Sequence, residues 1–188
     1  MCAGALAFRY ALFVALLAYF TAPTTCALAA AEEEWQLGIQ TGGASIWVGD
    51  RERSGMLLGV ESQRGLNDSW ALRAGFEANW FPGDVSTPSS FVGANLSAGG
   101  TYTLDVLRWL PFAELNLVGM GTAGGGSDSR LDMGAQVAVG ADYLLNRRYS
   151  IGLLAKYAYL AINAAGSDVH TGTPQLATLS LRLSYRLF

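Results

Sequence analysis

The last thirteen residues, LATLSLRLSYRLF, place leucine or tyrosine at every second position: Leu179, Leu181, Leu183, Tyr185 and Leu187. Ser180, Arg182, Ser184 and Arg186 stand between them. On an α-helix successive residues turn by about 100°, and leucines at this spacing would scatter around the axis. On a strand, residues i, i+2 and i+4 share one face. The alternation therefore predicts a β-strand with an apolar face and a polar face. Two arrangements satisfy it. In a soluble fold the apolar face meets a core; in a membrane barrel it meets lipid, and the polar face lines the interior.

The same period recurs along the chain. Eight segments carry it, near Trp35–Trp47, Gly55–Arg64, Ser69–Trp80, Ser90–Leu104, Phe112–Gly121, Arg130–Tyr143, Tyr149–Leu160 and Gln175–Phe188. In the third, Trp70, Leu72, Ala74, Phe76, Ala78 and Trp80 oppose Ala71, Arg73, Gly75, Glu77 and Asn79. The connections alternate in character. GLNDS, DVLR and LNRR are tight, whereas GDRERS, FPGDVSTPS, TAGGGSDS and INAAGSDVHTGTP are longer or richer in glycine and proline. Short turns at one end and long loops at the other are the pattern of a transmembrane barrel. The expected fold is all-β: an eight-stranded antiparallel up-and-down transmembrane β-barrel.

Aromatic residues and charges sort in the way such a barrel requires. Trp70, Trp109 and Tyr149 each follow a tight turn on the apolar face, and Trp47, Trp80 and Tyr159 fall near the opposite strand ends. Two girdles suit rings that want one edge wet and the other apolar. No Asp, Glu, Lys or Arg falls in the middle of an assigned apolar face. The polar faces hold Glu61, Arg73, Glu77, Glu114, Asp132, Gln136, Asp142, Lys156, Arg182 and Arg186. Inside a membrane barrel these charges must pair, because a lone buried charge is costly. Gly59, Gly75, Gly93, Gly134, Gly140 and Gly152 share that face and leave room for long side chains. Eight strands enclose a space that side chains fill, so the expected interior is plugged.

The N-terminus reads as a cleavable export signal. Arg9 precedes the apolar run YALFVALLAYF, and CALAAAEEE follows with an A-x-A site at Ala27–Ala29. This is the layout of a secretory signal peptide, and the run is short for a spanning helix. The expected division is residues 1–29 as signal, with cleavage between 29 and 31, and residues 30–188 as barrel. Both cysteines, Cys2 and Cys26, fall in the removed part, so the exported chain is not a disulfide scaffold. Loss of Arg9 leaves eleven basic side chains against fifteen acidic ones, which argues against nucleic acid as a partner. Only 14% of residues are charged, against about a quarter in an average soluble domain.

Taken together, the signal, the alternating final strand and the terminal Phe188 resemble the small bacterial outer-membrane β-barrels of the OmpA/OmpX-like class. The resemblance covers the exported chain as architecture. It implies residence in the outer membrane of a Gram-negative bacterium, contact with its lipid and lipopolysaccharide, and a monomer. It also implies that Leu183, Tyr185, Leu187 and Phe188 form the signal read by the barrel-assembly machinery, with periplasmic chaperones acting before it. Here the apolar phase runs through Leu187, so Phe188 lies one residue out of the family register. The implied role is structural, surface-interacting or weakly porin-like.

Features that could carry chemistry are sparse. Gly119–Gly124 matches G-x-G-x-x-G, but a loop and a strand follow where the dinucleotide fingerprint needs a helix. His170 is the single histidine, with Ser167 and Asp168 beside it. Some members of the class are lipid A-modifying hydrolases or acyltransferases, and a Ser/His pair is chemically able to act as nucleophile and base. One histidine and no retained cysteine exclude the usual zinc sets. Glu32–Glu34 and Asp50–Arg53 read as solvated charge runs. No catalytic, cofactor or metal site is expected. The alternatives are a lipid A-modifying enzyme and a soluble periplasmic lipid-binding barrel with its apolar face turned inward.

Overall fold

The computed structural model describes residues 34–49, 51–83, 89–124, 127–165 and 173–187. The expected export signal, Phe188, and the Ser167, Asp168 and His170 group lie outside these residues. Every regular element described is a strand: β1 (Trp35–Val48), β2 (Arg51–Gly65), β3 (Trp70–Phe81), β4 (Phe91–Thr103), β5 (Trp109–Gly124), β6 (Ser127–Leu144), β7 (Tyr149–Ala165) and β8 (Gln175–Leu187). Each pairs antiparallel with the next, and β8 closes on β1. The eight-stranded barrel expected from the period-2 segments is the fold observed. The G-x-G-x-x-G stretch lies at the end of β5, where the chain continues as strand.

The β2–β3 and β6–β7 turns explain why LNDSW and LNRRY look alike. In the first, the Asn67 side-chain oxygen accepts from the N–H groups of Ser69 and Trp70, at 3.0 and 2.8 Å. In the second, Asn146 accepts from Arg148 and Tyr149, at 2.8 and 2.9 Å. An Asn side chain that closes a turn on its own backbone is an Asx turn, and both put an aromatic residue at the first strand position. The DVLR turn works differently. Val106 pairs with Trp109, and Leu107 takes a positive φ of 63°.

The long-loop ends depart from the expected boundaries. Four residues of GDRERS, Arg51 to Ser54, are strand: Trp47 pairs with Glu52 and Val48 with Arg51, so β2 begins at Arg51. Gly49, at φ 61°, supplies the left-handed conformation that the short connection needs. Arg51, Glu52 and Arg53 are thus strand residues rather than exposed loop. Strand β5 starts at Trp109 and runs to Gly124, and β6 begins at Ser127. Strand β7 continues to Ala165 through two register shifts against β6, where Met133 meets Ile162 while Ala135 meets Tyr159. Each shift inserts one residue on the β7 side, the signature of a β-bulge.

Register fixes the stagger of the barrel. Following partners around the ring from Gln36 passes through Gln63, Arg73, Gly99, Asn116, Gln136, Ala158 and Leu176, and returns to β1 at Ile46. The circuit climbs from position 36 to position 46. A closed ring with such a stagger must tilt its strands by about 35–45° from the axis.

The two faces have opposite chemistry. The outer wall exposes Leu37, Ile39, Leu58, Leu72, Phe76, Leu96, Leu115, Leu117, Val137, Leu153, Leu181 and Leu183. Leu117 alone leaves 76% of its surface uncovered. The inner face buries Gln40, Glu61, Arg73, Glu77, Glu114, Asp142, Lys156 and Arg182. The inward-facing lipid binder weighed above requires the reverse, so the fold excludes that alternative.

The aromatic residues near the tight turns meet as tilted pairs across strands. Trp70 meets Tyr102, Trp109 meets Tyr143 and Tyr149 meets Tyr185, each with ring centroids 5.0 Å apart. Trp35 is exposed at the same end of β1. Toward the other end, Trp80 and Tyr159 are exposed and Trp47 is half-buried.

Candidate functional site

The interior is layered along the barrel axis. Toward the long loops lies an apolar cluster of Ala44, Ile46, Leu57, Phe81, Val118, Met120, Ala158, Leu160 and Leu176, with Val48 and Phe91 packed against it. Phe81 and Phe91 stack at 4.6 Å. A smaller cluster, Phe112, Ala138 and Leu154, sits lower. The ionised side chains fill the space between and around these groups.

Five of those side chains form one alternating chain. Arg73 of β3 joins Glu61 of β2 to Glu114 of β5. Arg182 of β8 approaches Glu61 at 3.1 Å and Glu114 at 3.8 Å, and also joins Asp142 of β6. The Arg182 guanidinium lies over the Phe112 ring, 4.4 Å from its centroid. Three carboxylates thus alternate with two guanidinium groups, drawn from five strands. Arginine suits this role because its planar fork donates to two carboxylates at once.

A second group crosses the lumen above it. Lys156 of β7 pairs with Glu77 of β3 and donates to the Gln40 side-chain oxygen at 2.9 Å. Gln40 in turn donates to Glu77 at 3.0 Å. Asn116 donates to Glu114 and Gln136, at 3.3 and 3.4 Å. Among the described residues, interior hydrogen bonds and ion pairs therefore join side chains of every strand except β4.

Asp132 and Arg186 stand apart from these groups. Asp132 pairs with Arg130 on its own strand at 2.7 Å, toward the long-loop end. Arg186 is half-buried at the tight-turn mouth with Gln36, Gln63 and Thr103, and makes no salt bridge among the described residues. Gln40 and Asn116, which carry the polar links, and the whole upper apolar layer are not among the residues expected from the sequence. Leucine and methionine on an inner face cancel the period-2 contrast that marks a strand, so the pattern alone does not flag them.

Glycines make room for the crossing side chains. A Cβ at Gly59 would lie 2.8 Å from the Gln40 amide nitrogen and 2.9 Å from the Glu77 Cγ. Gly100 faces outward with nothing within 4 Å of the same position. Gly59→Ala is expected to destabilise the barrel by about 1–3 kcal/mol through overpacking, while Gly100→Ala leaves stability unchanged. Urea unfolding of the two variants in lipid vesicles measures the contrast.

No family model matches the chain, and no curated protein matches it in sequence. Solved structures do match in shape. The Neisserial surface protein A superposes with a TM-score of 0.66 at 15% identity, over 82% of this chain and 99% of that one. Ail, the attachment invasion locus protein of Yersinia pestis, gives 0.61 at 15% identity, over 84% and 100%. The outer membrane protein OprG of Pseudomonas aeruginosa gives 0.56 at 11% identity, over 86% and 99%. The chain has the fold of the small eight-stranded outer-membrane barrels. Near-complete coverage of each relative means that the likeness spans the whole ring.

Proposed function

We propose that this chain is an integral outer-membrane β-barrel protein with a structural or surface-interaction role and at most minor permeability. The observation that carries this is the inversion of the two faces. Leucine, isoleucine and valine are exposed around the outer wall while the ionised side chains pair within it. In water the outer wall would be an apolar patch far larger than monomeric proteins tolerate. In lipid it is the matching surface, and the closed ring satisfies every strand edge. The apolar layer and the salt bridges support a plugged lumen, since buried side chains occupy it at both levels.

On this reading the partners are lipid and lipopolysaccharide, and during biogenesis the assembly machinery and periplasmic chaperones. The outward direction of Leu183, Tyr185 and Leu187 supports a strand presented for assembly. The aromatic pairs at the tight-turn end support a girdle at one membrane surface.

Electrophoresis of the outer-membrane fraction with and without boiling tests the proposal. A folded barrel resists cold SDS because its backbone groups are all paired around the ring, so the band is expected to shift on heating. Planar-bilayer recordings of the purified protein are expected to lack large ohmic conductance. A soluble periplasmic band without heat dependence would end the membrane reading, and nanosiemens-scale pores would end the plugged one.

A further inference from the structure

We propose that the outer wall across β7, β8, β1 and β2 binds one anionic glycerophospholipid. One of its acyl chains would lie along the β8–β1 seam, and its phosphodiester between Arg148 and Arg64. The proposal rests on the membrane reading above and deepens it.

The apolar half of the site is a groove. A depression of about 440 Å³ lies among Leu37, Ile39, Val60, Tyr149, Leu183 and Tyr185. A second, of about 200 Å³, continues it toward the loops among Thr41, Leu58, Ile151 and Leu181. Ile39 and Leu183 belong to both. Register accounts for the shape. Tyr149, Tyr185 and Leu37 form one lateral row, and Ile151, Leu183 and Ile39 form the next. The groove runs along the strands through both rows.

The polar half lies at the tight-turn end. The groove stops at the Tyr149–Tyr185 pair. Arg148, exposed in the β6–β7 turn, directly precedes Tyr149, and its carbonyl accepts from the Arg186 N–H at 2.8 Å. On the opposite flank, exposed Arg64 lies 5.8 Å from the Trp35 ring, opposite Trp35 in the β1–β2 register. Across this end the described residues carry Arg64, Arg108, Arg147, Arg148 and Arg186 against Glu34, Asp68 and Asp105. All the cations are arginine, whose fork matches phosphate oxygens.

A shallow apolar groove, with an exposed arginine beyond its tight-turn end on each flank, fits a lipid whose tails are in the membrane and whose headgroup is negative. A second copy fits poorly. An isologous contact at this seam would bring Arg64 of one copy against Arg148 of the other, cation against cation, because the same patch faces itself in reverse.

The test offers the refolded chain in mixed micelles an equimolar mixture of phosphatidylglycerol and phosphatidylcholine. Native mass spectrometry counts the lipid retained. The expected result is one phosphatidylglycerol retained in preference. Arg64→Gln combined with Arg148→Gln should lower the preference about thirtyfold, from the attraction of each cation to an anionic headgroup. Arg51→Gln, at the other end, should leave it unchanged, and Ile39→Trp, which fills the groove, should reduce retention of both lipids. Equal retention of the two lipids, or a preference that survives the double substitution, overturns the proposal. So does a disulfide-linked dimer formed through Leu181→Cys in the presence of phosphatidylglycerol, which assigns the groove to a second copy. Heat-dependent mobility in pure phosphatidylcholine vesicles is read in parallel. If it persists while the lipid preference is absent, the lipid site falls and the membrane reading stands.

Discussion

Replacing Arg182 by alanine should lower the stability of the barrel by about 3–5 kcal/mol, the cost of stripping the partner from a buried ion pair. Arg182 is only 3% exposed and is the cation that joins Asp142 to the rest of the network. Its loss leaves Asp142 ionised without a cation, while Glu61 and Glu114 still share Arg73. The damage should therefore be local to one carboxylate. Adding Asp142→Asn to Arg182→Ala should recover part of the loss, whereas adding Glu77→Gln should not, because Glu77 belongs with Lys156. Double-mutant cycles separate the two cases. Replacing Lys156 by methionine together with Glu77 by glutamine removes both charges at once, and should be close to neutral. Urea midpoints in vesicles, read by heat-dependent mobility, provide the measurement. Equal losses for the Arg182 substitution alone and in both combinations would mean that the network is not the source of the effect.

The second large effect belongs to the outer wall. Leu115 lies midway along the outward face of β5, 65% exposed, between Gly100 and Val137 on the flanking strands. In a bilayer, Leu115→Arg should cost about 2–4 kcal/mol, as a charge held at the midplane does. Leu131→Arg, near the long-loop end of β6, should cost about 0–1 kcal/mol, because the side chain reaches the interface. On a water-exposed wall the two substitutions would both be nearly silent. The depth dependence thus tests the membrane reading from within the fold, independently of where the protein fractionates.

Most strand cores were legible because one face of each is uniformly apolar. Trp70 to Trp80 alternates without a break, and the structure places β3 within one residue of that segment. The strand ends were less legible, for distinct reasons. Arg51 to Ser54 carries charge on both faces, so nothing in its pattern distinguishes a hairpin arm above the apolar wall from a loop. Strand β7 was readable only to Leu160 because the bulge there shifts the phase: Tyr159 is exposed, Leu160 is buried, and both Ala161 and Ile162 are exposed. The charged interior was legible as a set, since one polar face per strand must converge in a closed ring. Its partners were not. Glu61 meets Arg73 across a neighbouring strand pair, but Arg182 reaches Glu61 across β1, and only the ten-residue climb of the circuit brings them level.

The bulges in β7 also bear on how such a chain can change length over evolutionary time. Closure ties every strand to two neighbours, so losing one residue from a strand core would turn all side chains beyond it inside out. Single insertions and deletions are barred there, while changes in pairs or in loops are not. Strand β7 shows the permitted exception. Its first extra residue flips the facing once, and a second, between Asn163 and Ala165, flips it back. Both lie beyond the Lys156–Glu77 pair, so the upper rim can vary in length while the lower ring keeps its phase.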